Sequence, residues 1–328
     1  MIAAVADPSQ VAEARRLAVG YAQRHGLPES RVAQLALVIT ELGTNLLKHG
    51  SGGEILTQTF DDRDGTGIEV LALDRGAGMA DIERCVADGY STAGSPGNGL
   101  GAVIRQSNLV RIWSRSGRGT AIMARFVVQP AKPPLAILAG VAVAPYPGEI
   151  VCGDHWAVGR ANSGHTLLVV DGSGHGPEAA RAAEIAVSAF HNHVNDPCEQ
   201  LMDRIHHALM PTRGGAVGIA RIDAGARVVR FVGVGNISGV LVAEGGTRHM
   251  VSHNGTAGHV APRIREFSYP FSVDPTVILH SDGVSPRWDL GAYPGLGAQH
   301  PSLIAGVLLR DFRRGRDDAS VAVMRMMS

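Results

Sequence analysis

The stretch "VVDGSGHGPEAA", Val169 to Ala180, decides how the second half of the chain is read. An apolar run ends in Asp171. Glycines follow at 172, 174 and 176, and an alanine-rich run begins after Pro177. Closely spaced glycines before a helix suit a loop that cradles phosphate on backbone N–H groups. This loop, however, has no lysine and opens with a carboxylate. It is either a nucleotide loop or a tight turn that delivers Asp171 to something else.

Three more places in the same half share that layout. "IVCGDHWAV" sets Asp154 between a glycine and a strand-like run. "VILHSDGVSPRWD" is a strand ending in Asp282-Gly283. "RGRDDASVAVMRM" places Asp317 and Asp318 directly before a last strand. One aspartate at a strand end is ordinary turn chemistry. Four such corners imply converging strand ends. Carboxylates brought together repel unless cations lie between them, and Mg²⁺ or Mn²⁺ suit oxygen ligands. Two such ions can activate water and clamp a phosphoryl group.

The chain has 328 residues, enough for two domains. The proline-rich "VVQPAKPPLAI" reads as a linker, dividing it into residues 1–130 and 131–328. Lysine plus arginine equals aspartate plus glutamate at 30 each, so no global field draws nucleic acid or a membrane surface. Three cysteines without a C-x-x-C fit a reducing compartment, and no run is long enough to span a bilayer. The expectation is a cytoplasmic protein that contacts neither nucleic acid nor membrane.

The first half opens with two helical stretches, Pro8 to His25 and one N-capped at Ser30. Strand-like runs "GEILTQTF" and "GIEVLALD" follow, then a hairpin turning at Ser116 to Gly119. Helices first and an antiparallel sheet after predict an α+β sandwich, and the strand-rich second half is α+β as well. In "TELGTNLLKHG", Glu41, Asn45 and Lys48 share one helical stripe. That stripe is either a solvated face or a site where a carboxylate and an amide hold Mg²⁺ or activate a hydroxyl. "LALDRGAGMAD" ends a strand in Asp74 and adds Gly76 and Gly78, a turn or a cradle for a flat base. "STAGSPGNGLGAVIRQSN" holds Gly97, Gly99, Leu100 and Gly101 before a helix, and Gly119-Thr120 opens a strand.

In this order the four elements resemble the GHKL ATP-binding fold over roughly residues 5 to 128. The resemblance implies that Asp74 reads adenine and Asn45 helps hold Mg²⁺. It makes the segment from about Met79 to Gly101 a lid over ATP and Thr120 part of the closing box. Within that superfamily the short form is similar to anti-sigma-factor serine kinases, which makes Glu41 the candidate base. The second half resembles the SpoIIE-type branch of the protein phosphatase 2C superfamily, an αββα sandwich, over residues 135 to 328. That resemblance implies a two-metal site of Asp154, Asp171, the Gly172 carbonyl, Asp282 and Asp317, with Asp317 preferred to Asp318. It also implies single-step hydrolysis of phosphoserine or phosphothreonine by an activated water, with Asp154 and Asp171 catalytic.

The implied protein is a bacterial partner-switching component. Its partner is a STAS-type anti-sigma antagonist or stressosome-like phosphoprotein, and a homodimer is admitted. Its cofactors are a Mn²⁺ or Mg²⁺ pair, and ATP with Mg²⁺. The alternative is a nucleotide-gated module in which the first half senses ATP without kinase activity. Three details stay open. His175 is a proton donor or a loop brace. Asn236 is a hairpin residue or part of the cleft. The basic residue that grips phosphate in eukaryotic relatives has no evident counterpart.

Overall fold

A computed structural model describes residues 1–86, 99–130, 136–243, 246–260 and 264–327. It separates into two compact units. Unit 1 holds Met1–Leu135 and Asp289–Arg310. Unit 2 holds Ala136–Trp288 and Asp311–Ser328.

Unit 1 begins with β1 (Ile2–Val5), α1 (Pro8–Arg24) and α2 (Glu29–His49). It continues with β2 (Gly53–Asp62), β3 (Gly65–Leu73), α3 (Ile82–Val86), α4 (Gly99–Gln106), β4 (Leu109–Ser114) and β5 (Thr120–Gln129). Asp7 caps α1 by accepting from the Ser9 and Gln10 amides. The Ser30 cap expected for α2 is not formed. Pro28 is extended (φ −58°, ψ 146°), so the helix starts at Glu29 and Ser30 lies inside its first turn. The sheet runs β1-β2-β3-β5-β4, every pair antiparallel. Ile68, Val70 and Ala72 of β3 join Leu35, Ile39, Leu42 and Leu46 of α2 in the core. These three alternate along the strand and so share one face of the sheet.

Unit 2 contains β6 (Ile137–Ala144), β7 (Asp154–Ala161), β8 (Gly164–Gly172), α5 (Pro177–His193) and α6 (Cys198–Leu209). Next come β9 (Gly215–Asp223), β10 (Val228–Val234), β11 (Ser238–Ala243), β12 (Gly246–Met250), β13 (Phe267–Pro270) and β14 (Thr276–His280). The chain closes with α7 (Pro301–Phe312) and β15 (Ala319–Met326). Two five-stranded antiparallel sheets form, β13-β10-β9-β8-β7 and β12-β11-β14-β15-β6. On β8, Leu168 and Val170 pack with Ala183, Phe190 and Leu201 of α5 and α6. Leu167 and Val169 pack with Val141, Leu241, Leu279 and Met324 of the other sheet. A strand buried on both faces reads as a continuous apolar run, as "TLLVV" does. The α+β expectation holds in both units.

The segment Asp289–Arg310 groups with unit 1 although it is encoded between β14 and β15. Every residue of α7 from Pro301 to Arg310 is buried. Ser302 Oγ donates to Glu69 Oε2 of β3 at 2.8 Å, and Arg310 donates to the Asp74 carbonyl at 2.5 Å. Close by lies a buried charge cluster. Arg125 donates to Glu69 (2.7 Å), Asp62 (3.0 Å) and Asp64 (2.9 Å), and its guanidinium lies over the Phe60 ring.

Candidate functional sites

In unit 1 the sheet ends below Asp74, which is buried. Asp74 Oδ1 accepts the Gly76 amide at 2.8 Å and the Thr120 amide at 3.1 Å. Both protein donors use the same oxygen, which leaves Oδ2 for a ligand among the described residues. Burial raises the Asp74 pKa, and the two amides oppose it. The turn is held by glycine. Gly78 has φ +72°, and a Cβ there would lie 2.0 Å from the Arg115 carbonyl oxygen. Ser114 Oγ bonds Thr120 Oγ1 and receives the Met79 amide, tying the start of the expected lid to the β4–β5 turn.

The helix α4 brings the later glycines to α2. A Cβ on Gly99 would lie 3.1 Å from Glu41 Oε2 and 3.6 Å from Asn45 Oδ1. Leu100 packs on the core, Gly101 is buried, and Val103 is fully buried beneath them. Lys48 is exposed near the end of α2. Gly97 lies outside the described residues. The structure therefore joins Glu41, Asn45 and Gly99 in one place, and Asp74, Gly76, Gly78 and Thr120 in another.

In unit 2, β7 and β8 pair so that Asp154 lies directly opposite Asp171. Like charges at directly opposed positions destabilise an antiparallel pair. The β14–β15 ladder supplies the other two corners. Ser281 N donates to Ser320 O at 3.1 Å and Ser320 N to Ser281 Oγ at 3.0 Å, which laces the Asp282 turn to the Asp317-Asp318 turn. Asp171, Asp282 and Asp317 line a cleft of about 430 Å³ with Ser173, Asn236 and Thr256. Asp154 is nearly fully buried. The Gly172 amide donates to the Gly153 carbonyl at 3.1 Å, pinning the loop beside Asp154.

The electrostatics are unresolved within the protein. Burial pushes Asp171 well above the usual carboxylate range, and the charges of Asp154, Asp282, Asp317 and Asp318 push it further. Burial also raises Asp154; the nearby Ser281 and Ser320 hydroxyls oppose this without closing a hydrogen bond to it, and Asp318 and Asp317 add to it. Asp317 is raised too, burial first. Both oxygens of Asp154 and Oδ2 of Asp318 are buried without a hydrogen-bond partner. None of the five carboxylates has an ion pair to lysine or arginine among the described residues. Orphaned oxygens in an all-carboxylate set fit hard divalent cations. No three of these carboxylates bring ligand atoms within 4.8 Å of one another among the described residues.

Sequence reasoning set aside or passed over four residues. Asp318 is more buried than Asp317, and its Oδ1 accepts the Tyr146 amide at 2.7 Å. The adjacent acidic pair was its signal. Asn236 donates Nδ2 to Asp282 Oδ2 at 2.7 Å, so it belongs to the cleft and is more than a hairpin residue. Glu149 bonds His175 Nδ1 at 3.1 Å while Tyr146 stacks on the ring, and no spacing in the sequence links those two to His175. The grouping of Asp62, Asp64 and His300 in unit 1 does meet metal-like spacing. His300 Nδ1 accepts the Ser302 amide, which leaves the proton on Nε2 facing Asp64, and Arg125 already supplies the cation.

The histidine kinase-like ATPase domain family matches residues 4–126, and the stage II sporulation protein E (SpoIIE) family matches residues 162–326, just over half of the chain. The serine/threonine-protein kinase RsbT of Bacillus subtilis (strain 168) is 32% identical over 114 residues, covering 35% of this chain and 86% of RsbT. The phosphoserine phosphatase RsbX of the same organism is 21% identical over 139 residues, covering 42% of this chain and 70% of RsbX. Its fold agrees as well: RsbX in complex with magnesium superposes with a TM-score of 0.53 at 18% identity, over 60% of this chain and 98% of that one. A solved structure from the bacterial stressosome gives 0.54 at 28% identity, over 58% of this chain and 99% of its own. Unit by unit, the chain belongs to the SpoIIE family in its C-terminal half and carries a histidine kinase-like ATPase domain of the RsbT kind ahead of it.

Proposed function

We propose that the chain is a partner-switching signalling protein whose unit 2 is a divalent-metal-dependent protein-serine/threonine phosphatase. The observation that carries this reading is the Asp154–Asp171 cross-strand pair with its orphaned oxygens, joined by Asp282 and Asp317 at the cleft. Asp154, Asp171, Asp282, Asp317 and the Gly172 carbonyl would hold two ions, Mn²⁺ or Mg²⁺. The bound pair supplies Lewis acidity toward water and phosphoryl oxygen. The protein keeps the aspartates in register through the β7–β8 and β14–β15 ladders. Asn236 orients Asp282, and Glu149 with Tyr146 holds His175 at the rim. The substrate is a phosphorylated STAS-type antagonist or stressosome-like protein, a reading supported by the RsbT, RsbX and stressosome relatives.

In unit 1, Asp74 would read the adenine of ATP. Asn45 would take Mg²⁺, Gly99 and Gly101 would face the phosphates, and Glu41 would act as base toward a partner serine. The test is hydrolysis of p-nitrophenyl phosphate and of a phospho-STAS protein with Mn²⁺. Wild type turns both over and Asp171→Ala does not; equal rates for the two proteins would sink the phosphatase assignment. Labelled ATP with the same STAS protein tests the kinase, which Glu41→Ala should silence.

A second reading, in which nucleotide regulates the phosphatase, is favoured by one observation. Arg310 donates to the carbonyls of Asp74 (2.5 Å), Arg118 (3.0 Å) and Thr120 (3.4 Å). Its helix is encoded between Asp282 and Asp317, so both chain exits of a segment that grips the nucleotide-reading loop lead to proposed metal ligands. ATP should then shift the Mn²⁺-dependent rate of the full chain. Arg310→Met should abolish that shift.

A further inference from the structure

The cleft of unit 2 has a charge problem that its own lining does not solve. Five carboxylates outweigh two divalent cations by about one charge, and a phosphoserine arrives as a dianion at neutral pH. The lining, which includes Asp171, Ser173, Gly174, Asn236, Asp282 and Asp317, contains no lysine or arginine among the described residues. His175 is engaged by Glu149.

Arg213 lies in the turn between α6 and β9, and its guanidinium NH1 is 3.5 Å from where a Cβ on Gly174 would sit. It has no hydrogen bond or ion pair among the described residues. Its backbone, by contrast, is anchored. Thr212 N and Oγ1 both bond the Leu209 carbonyl, and the Gly214 amide donates to Thr212 Oγ1. The Gly214 carbonyl receives the Ser173 amide at 2.9 Å, fastening this turn to the Asp171 loop. Gly174 has φ +88°, and apart from its chain neighbours no other described heavy atom comes within 4 Å of its absent Cβ. Gly174 itself lines the cleft, so the guanidinium lies beside one of its walls.

We propose that Arg213 is a substrate-binding residue that takes the phosphoryl oxygens of phosphoserine or phosphothreonine. A guanidinium presents paired donors matched to phosphate, and charge-assisted bonds of this kind are among the stronger ones. The inference rests on the phosphatase reading of unit 2 and supplies the phosphate grip that the sequence left without a counterpart.

The experiment uses the full chain with Mn²⁺, a phosphoserine peptide and inorganic phosphate. Arg213→Ala and Arg213→Glu should raise KM for the peptide roughly ten-fold, within the worth of a hydrogen bond to a charged group. They should leave kcat within about two-fold, since the grip holds ground state and transition state alike. Arg213→Lys should recover part of the loss. Calorimetric Mn²⁺ affinity should not change, whereas phosphate affinity should fall. Wild-type KM and phosphate affinity in Arg213→Glu would overturn the proposal. If the wild-type protein turns over no phosphopeptide, the phosphatase reading fails, and the phosphate titration still decides the role of Arg213.

Discussion

Each unit contains a group of buried or half-buried acids, and the two groups are resolved in opposite ways. In unit 1, Asp62, Asp64 and Glu69 surround Arg125, Ser302 donates to Glu69, and His300 Nε2 faces Asp64 at 3.6 Å. The cation is built into the sheet. In unit 2, Asp154, Asp171, Asp282, Asp317 and Asp318 converge with no such partner among the described residues, and three of their oxygens are orphaned. The first arrangement holds elements together; the second waits for charge from outside. Carboxylate density alone does not mark a site. What marks it is whether the protein supplies the counter-charge.

The comparison breaks most readily at Arg125. Arg125→Met leaves three carboxylates facing one another in the sheet, and removal of one partner from such a buried network costs about 3–5 kcal/mol. Thermal unfolding should show that loss in the presence or absence of Mn²⁺. A stable Arg125→Met would mean that the cluster of unit 1 is as undercompensated as the other. Next is Asp154→Asn. The unpaired charge disappears, so the metal-free protein should gain stability. Mn²⁺-dependent turnover should drop about 10²–10³-fold, comparable to losing one preorganised electrostatic contact. Differential scanning calorimetry and a rate assay read the two arms.

The pH dependence sharpens the contrast. Burial raises Asp154 to about 7 and Asp171 to about 9 in the folded protein. A carboxyl with a raised folded pKa favours the metal-free fold at low pH and loses that contribution as pH climbs through the raised value. Bound cations replace the protons. The Tm gain on adding Mn²⁺ should therefore grow between about pH 5 and 9, and a gain that is flat across this range would detach these aspartates from metal binding. The smallest effect belongs to Asn236→Ala, which frees Asp282 from its 2.7 Å restraint. Mn²⁺ affinity should weaken about ten-fold, as for other residues that orient a ligand.

Much of unit 2 was legible because its chemistry is local. Each acidic corner flanks an apolar strand, Asp171 and Asp282 where one ends and Asp154 and Asp317 where one begins, so the corners could be picked out from their neighbours, while the resemblance supplied their role. Asp74 and the Glu41–Asn45 stripe were legible for the same reason. What escaped depends on distant partners. Asp318 could not be weighed against Asp317 without the Tyr146 amide, and Asn236 could not be seen to reach Asp282, 46 positions away. Short β12 and β13 have exposed, weakly apolar patterns that give little periodic signal. The placement of α7 was hidden as well. Its apolar residues run around the whole circumference, which says that it is buried but not against what.

That placement has a consequence for synthesis. The Ser302–Glu69 and Arg310–Asp74 bonds join positions 233 and 236 residues apart. A nascent chain that has just completed β5 has its sheet and the helices α1 and α2, yet the strip bearing Glu69 and Arg125 must wait for α7. Unit 1 matures only after the strands of unit 2 through β14 have left the ribosome. The last helix of unit 1 is made after most of unit 2, and contacts of such long sequence separation are slow to form.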